Sequence, residues 1–261
     1  MGKGLIEKWV SGQGAPHLFV VGGSGAGKTT LVRKIALFLL QHGTLNVIDF
    51  DKEYVDLPLE TVTPPFPVFV PSMSFLGWLV SQASRPEEGG FATASTLDFF
   101  EDAKDLDEVI SKIKYDPMLP SSVRYAALWR ISLFRKYFII KAEADDDLAG
   151  RVFDLSGILS IRERQAVQQI LLSYLINSNA RWVVVEEVHP GPWISDISML
   201  ARRRGKRLIL VSQIFPEDPQ NYELVIFTPY PISRQIPLPV NPLYDKGVWW
   251  VGRLGVHRIK W

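Results

Sequence analysis

The sequence predicts an α/β fold: a mostly parallel central sheet with a helical insertion inside a single domain spanning residues 1–261. Three observations lead there. Short apolar runs, rich in β-branched residues, recur at His17–Val21, Leu45–Phe50, Gly150–Leu155, Trp182–Val185 and Leu208–Val211, each about the length of a buried strand. Stretches with apolar residues at helical spacing separate several of these runs. Strands that alternate with helices build parallel sheets, because the chain must cross back over the sheet between neighbours.

The elements follow in order. HLFVV (His17–Val21) is closed by Gly22-Gly23 and reads as a buried strand. From Lys28 to His42, Leu31, Ile35, Phe38 and Leu39 share one helix face, and Gly43 stops the helix. Leu45–Phe50 is the second strand. Thr61–Ser84 carries no charge over 24 residues. Pro64, Pro65, Pro67 and Pro71 break its first half, so the apolar run left over is too short to span a bilayer. It is expected to be buried loop and strand, and no membrane span is expected. Residues 72–148 read as a helical insertion between two sheet strands, with helical patterns at Phe75–Ser84, Thr96–Lys114 and Ser121–Lys141. An acidic run (Glu101, Asp102, Asp105, Asp107, Glu108) precedes a basic one (Arg124, Arg130, Arg135, Lys136, Lys141). After the strand at Gly150–Leu155, Ser160 and Glu163 have capping-box spacing before an apolar stripe of Val167, Ile170, Leu171, Tyr174 and Leu175. Trp182–Val185 and Leu208–Val211 are strands separated by a basic segment, and Leu224–Phe227 and Val248–Val251 are late strands. No internal repeat or low-complexity tract interrupts the pattern.

Composition narrows the chemistry. Of 261 residues, 47% are apolar and 22% charged, which suits a chain that buries a core. Lys+Arg 29 against Asp+Glu 28 leaves +1, so any polyanion-binding surface must be local. The absence of cysteine excludes disulfides, thiol nucleophiles and cysteine-bound clusters, and agrees with an intracellular setting. His17, His42, His189 and His257 lie far apart in sequence and form no ligand pair at helical spacing. The N-terminal MGKGLIEKWVSGQG lacks the apolar core of a signal peptide.

GGSGAGKTT (Gly22, Gly23, Ser24, Gly25, Ala26, Gly27, Lys28, Thr29, Thr30) satisfies G-x-x-x-x-G-K-[ST] between a predicted strand and a predicted helix. Glycines let backbone N–H groups turn inward around a phosphate, and the following helix adds its positive N-terminal end. Lys28 can reach the outer phosphates, and the Thr29 hydroxyl can ligate Mg²⁺. A nucleoside triphosphate with Mg²⁺ is the expected ligand, a reading that kinases, GTPases and motors share. WVVVEE ends a buried strand in two acids. Glu186 is assigned to the metal shell and Glu187 to the attacking water. RLILVSQ places Gln213 at the tip of the strand beside the acidic one, where it can sense the γ-phosphate or position water. Asp49 and Glu53, at the tip of a strand read as lying beside the phosphate loop, are open between the metal shell, a neighbouring subunit and a structural turn.

Taken together these residues resemble the HerA/FtsK superfamily of ATP-driven DNA translocases. HLFVVGGSGAGKTT resembles that family's strand and phosphate loop. LNVIDFDKEYVDLP resembles its viDpHGEYadL block, FDLSGILS the strand and turn that precede the helix before the acidic strand, and WVVVEEVH its DEAH-like strand, with Glu186 replacing Asp and His189 retained. ARRRGKRLILVSQIFPEDP resembles its GRKxGxxLilvsQrPsdl block, with Gln213 at the sensor place. The resemblance runs from residue 16 to 261, apart from the insertion. It implies a RecA-like core, a homo-hexameric ring and ATP hydrolysis coupled to sequence-independent movement along double-stranded DNA. It also implies an arginine finger from the neighbouring subunit, for which Arg202 is the candidate, with Arg203 and Arg204 as rivals, while His189 would orient the Glu187 loop. Arg124, Arg130, Arg135, Lys136 and the Arg202–Arg207 cluster are the candidate DNA contacts. Only about 15 residues precede the first core strand, so the N-terminal β-barrel of the cellular helicase is expected to be absent. That bare architecture resembles stand-alone viral genome-packaging or plasmid-type members. It would act in the cytoplasm of an archaeal or bacterial cell, with a capsid or other docking protein as partner. Two other readings stand beside this one: a small-molecule phosphotransferase, and a non-motor scaffold docked through Pro64–Pro71.

Overall fold

The computed structural model describes residues 3–83, 97–141, 149–230 and 246–260. Its main sheet has nine strands in the order β11-β10-β9-β1-β8-β7-β2-β6-β3. These are β1 (His17–Val21), β2 (Leu45–Asp49), β3 (Glu60–Val62), β6 (Arg151–Asp154), β7 (Trp182–Val185), β8 (Arg207–Ser212), β9 (Tyr222–Thr228), β10 (Gly247–Gly252) and β11 (Gly255–Ile259). Seven of them run parallel, and the β10–β11 hairpin adds antiparallel to β9 at one edge. The predicted strands are all present.

Their continuous apolar character follows from cover on both faces. Alternate residues enter opposite cores. Phe19, Val21, Val183, Val185, Leu208 and Leu210 pack into one. Leu18, Val20, Trp182, Val184, Ile209 and Val211 pack into the other. Helices α1 (Lys3–Val10) and α2 (Lys28–Leu40) cover the second face with Ile6, Trp9, Leu31 and Ile35. The first face is covered by α3 (Met73–Ser81), α4 (Leu106–Tyr115), α5 (Ser121–Tyr137), α6 (Ile161–Leu175) and α7 (Pro192–Arg203).

Several elements depart from the sequence reading. The segment read as a basic linker before β8 is α7, with Pro192 in its first turn and Ile194, Ile197 and Ala201 buried at helical spacing. The pattern ending at Lys141 stops being helical at Tyr137. Phe138 stacks on Phe134 at 4.9 Å, and β5 (Phe138–Lys141) pairs in parallel with β4 (Phe66–Phe69). Thus a two-stranded sheet accompanies the insertion helices. Residues 84–96 and 142–148, including the expected helix ends at Ser84 and Thr96, lie outside the described residues. Ser160 caps α6 as expected, accepting from the Glu163 N–H. The Glu163 carboxylate is engaged by Lys136 at 3.0 Å and by the Tyr137 hydroxyl.

Most consequential is strand order. β1 lies between β8 and β9, so β2 is not its neighbour; β2 sits between β7 and β6. The acidic strand β7 is two places from β1, with β8 between them. Because these strands are parallel, the loops after β1, β2, β7 and β8 all open on one edge, where ligands bind in α/β sheets.

At the opposite edge His17 locks β1 to its neighbours. Its Nε2–H donates to the Ser198 carbonyl at 2.8 Å, and its Nδ1 accepts from the Leu208 N–H at 3.1 Å. One ring nitrogen gives and the other takes, so the imidazole is neutral. Burial, with smaller contributions from Arg207 and Arg202, outweighs the Ser198 bond and lowers its pKa to about 4. The unfolded chain binds this proton below about 6.5 and the folded one only below about 4. Stability is therefore fully present above pH 6.5 and falls as pH drops toward 4, by about 3 kcal/mol from this ring. In urea titrations at pH 7 and pH 4, wild type should lose about 3 kcal/mol more than His17→Asn. Equal losses in both proteins would contradict the assignment.

Candidate nucleotide site

The phosphate loop is shaped by glycines. Gly25 (φ 70°) and Gly27 (φ 94°) take left-handed backbone that a side chain would strain. A Cβ on Gly22 would lie 2.6 Å from Cβ of Phe227 on β9, so the loop starts hard against the sheet. Gly27 opens α2, whose first-turn N–H groups face the loop without a side-chain cap. Lys28, itself buried, donates to the carbonyls of Gly22 at 2.9 Å and Gly23 at 3.0 Å. An ammonium has three N–H donors, which leaves one for a phosphate oxygen.

The loop from Ser24 to Thr30 lines an open cleft of about 700 Å³ together with Phe50, Asp51, Glu53, Ile161, Gln165, Glu187, Val188, His189 and Gln213. Ser24, Gly25, Ala26, Gly27, Lys28, Thr29 and Thr30 are all in its wall, and Gly22 and Gly23 support it from behind through Lys28. Of the two strand-end acids, only Glu187 is there. Its φ of 48° is left-handed, unusual for a residue with a long side chain. The flanking backbone holds this turn. Val188 N–H donates to the Val211 carbonyl at 2.8 Å, and the Ser212 hydroxyl donates to the Val188 carbonyl at 2.7 Å. Gln213 Nε2 donates to both Glu187 carboxylate oxygens, at 3.1 and 3.3 Å, and the Tyr230 hydroxyl holds the Gln213 carbonyl.

Glu186 goes the other way. It is 2% exposed, accepts from the Tyr54 hydroxyl and takes no part in the cleft wall. Gln168 Nε2 donates to its carbonyl at 2.5 Å. Burial pushes its carboxyl up to about 8. The structure therefore does not bring Glu186 to Thr29, as a metal-shell role had required. Asp49 is fully buried and accepts from the backbone N–H groups of Glu53 at 3.0 Å and Tyr54 at 2.8 Å, so it is a turn-forming residue. Glu53 reaches the cleft.

Sequence reasoning missed Arg164. It donates to the Phe50 carbonyl at 3.0 Å and to Asp51 at 2.7 Å, and its guanidinium lies 4.7 Å over the Phe50 ring. Further bonds from this first-turn residue of α6 to the Ile158 carbonyl fasten it to the turn after β6. It thereby ties the loop after β2 to the loop after β6. Gln165, the next residue, lines the cleft and was also missed.

With this geometry in hand, comparison with known proteins is informative about the fold. No family model and no curated protein matches the chain. The structure of VirB4 of Thermoanaerobacter pseudethanolicus does, with a TM-score of 0.51 and 15% identity, over 78% of this chain and 72% of that one. The chain shares the fold of VirB4. The RecA-like core with a mostly parallel sheet, expected from the sequence resemblance, is thus present. The bacterial conjugative coupling protein TrwBdeltaN70 is similar at a TM-score of 0.49 and 11% identity, over 76% of this chain and 62% of that one.

The candidate cations divide into two groups. Arg124 donates to the carbonyls of Ile113, Asp116 and Leu119. Arg130 is 1% exposed and donates to the Ala83 carbonyl, out of reach of a polyanion. Arg135 pairs with Asp107, Lys136 with Glu163, and Arg207 stacks over Trp9. Arg202, Arg203 and Arg204 are exposed at the end of α7. They lie at the end of the sheet where β8 begins, about 20 Å from Gln213 at 3.3 Å per residue of strand. Arg202 does not line its own chain's cleft. Among the described residues, no helix is long and apolar enough to cross a membrane.

Proposed function

We propose that the chain is an ATP-hydrolysing motor subunit that moves duplex DNA through a ring of its own copies. The observation carrying this reading is Glu187. A carboxylate held in left-handed backbone just after β7, gripped by Gln213 just after β8, shares one cleft with the phosphate loop after β1. That arrangement suits hydrolysis. Loop N–H groups and Lys28 would bind the phosphates. Gln213 would fix the Glu187 carboxylate toward a water in line with the γ-phosphorus. Glu187 takes the proton as the water oxygen bonds to phosphorus and the bond to the β-phosphate oxygen breaks. The Thr29 hydroxyl, in the first turn of α2 and in the cleft wall, would hold Mg²⁺, which would neutralise phosphate charge there.

A ring would give Arg202 a role. Its distance from its own cleft means that only a neighbouring copy could bring it to a γ-phosphate as an arginine finger. Arg203 and Arg204 beside it would be available to DNA phosphates. Among the described residues of the insertion, Arg124, Arg130, Arg135 and Lys136 are engaged with carbonyls or carboxylates of the chain itself.

Duplex DNA should raise the steady-state rate of ATP turnover several-fold at low salt. The stimulation should vanish as salt rises, because phosphate contacts release counterions. Turnover indifferent to DNA at low salt would contradict the motor assignment while leaving hydrolysis intact.

A further inference from the structure

We infer that the carboxylate serving the magnesium shell of this site is Glu53, from the loop after β2, in place of the strand-end Glu186. The inference rests on the nucleotide-hydrolysis reading above and names the residue that reading leaves open. Three observations carry it. First, the Thr29 hydroxyl donates to Glu53 Oε2 at 2.8 Å. A hydroxyl that ligates a cation through its oxygen must give its proton to an acceptor, and an anionic carboxylate is the strongest one available. Glu53 already accepts that hydrogen bond, which leaves the Thr29 lone pairs for the metal. Its second oxygen remains for a metal-bound water. Second, Glu186 is committed elsewhere: its carboxyl is bonded to the Tyr54 hydroxyl, and its buried side chain is not among the residues lining the cleft. Third, the loop bearing Glu53 is fixed from both ends. Asp49 accepts the backbone N–H of Glu53 and of Tyr54, and Arg164 grips Phe50 and Asp51.

The consecutive residues Glu53 and Tyr54 therefore face opposite ways. Glu53 turns outward to the phosphate loop, and Tyr54 turns inward and occupies Glu186. The extra methylene of Glu186, relative to an Asp at that place, is directed toward the tyrosine instead of the cation. Glu186 becomes a positioning residue for the loop after β2.

The test is a fluorescence titration of the full chain with a methylanthraniloyl-labelled ATP, performed first in EDTA and then with increasing Mg²⁺. Wild type should bind more tightly as Mg²⁺ is added. Glu53→Gln and Glu53→Ala should keep the EDTA affinity within twofold. Each should need roughly 10- to 100-fold more Mg²⁺ for the same gain, the usual cost of removing a residue that supports a metal ligand. Because Glu53 is exposed, both variants should fold. Glu186→Gln keeps an acceptor for Tyr54 and should shift the Mg²⁺ requirement less than twofold. An unchanged requirement in both Glu53 variants, or an equal or larger shift in Glu186→Gln, overturns the inference while the nucleotide site stands. Wild type that binds no labelled nucleotide overturns both together.

Discussion

Replacing Glu187 by Gln should slow ATP turnover by about 10²- to 10⁴-fold, the range lost with a positioned general base. Nucleotide affinity should change less than twofold. The two parts of the expectation come from different contacts. The cradle is built from the glycines, Lys28 and the start of α2, and the bonds Glu187 makes are to Gln213 instead. A glutamine at 187 keeps the length of the side chain and one acceptor oxygen for Gln213, and loses the ability to accept a proton. Stability provides an independent check through Glu187→Gly. Left-handed backbone costs a side-chain-bearing residue about 1–2 kcal/mol, whereas a glycine loses about 0.5–1 kcal/mol in chain entropy. The glycine variant should therefore be at least as stable as wild type and equally inactive. An active Glu187→Gln protein, measured by phosphate release, would remove the residue from the mechanism. A glycine variant destabilised by several kcal/mol would show that the turn is not strained.

The second large effect belongs to stability alone. Glu223 on β9 is fully buried, and its carboxylate accepts four N–H groups. These come from Ala15 at 2.8 Å, the Trp250 indole at 2.7 Å, Arg253 at 3.0 Å and Leu254 at 3.5 Å. One side chain thus joins the segment after α1, the strand β10 and the β10–β11 turn. Two glycines make room for it: a Cβ on Gly14 or Gly252 would sit 2.6 or 2.3 Å from a Glu223 oxygen. Glu223→Ala strands several donors at once and should lower unfolding free energy by about 3–5 kcal/mol. That is a large share of the roughly 5–15 kcal/mol typical of a domain. Chemical denaturation followed by tryptophan fluorescence reads it, and a loss under 1 kcal/mol would contradict the network.

What could be read from the sequence, and what could not, follows the range of the interactions. The core strands announced themselves because a strand buried on both faces must be apolar at every position, as in Trp182–Val185. The phosphate loop was equally plain, since its spacing and its strand–helix context are local. Strand order was not plain: nothing within LNVID says that it pairs with β7 and β6 instead of β1. Helix α7 carried a signal, Pro192 followed by Ile194, Ile197 and Ala201, that the adjoining Arg202–Arg204 run obscured. The division of labour between Glu186 and Glu187 depends on how the chain leaves β7. Adjacent residues there point apart, and only the φ of Glu187 and the Tyr54 contact decide which faces the cleft. Glu53 and Arg164 meet their partners across 24 and 113 residues of sequence, so spacing could not have paired them. Basic residues were the least legible. Arg124 and Arg130 read as surface charge and turn out to hold backbone carbonyls together.

The most direct test of the hydrolytic cleft is to supply purified wild-type chain with Mg²⁺ and ATP in ¹⁸O-enriched water and to analyse the phosphate produced by mass spectrometry. Attack by a Glu187-held water predicts inorganic phosphate carrying one oxygen from solvent, and a rate that collapses in Glu187→Gln. No phosphate released with or without DNA, or a γ-phosphoryl group recovered on an acceptor other than water, would contradict it.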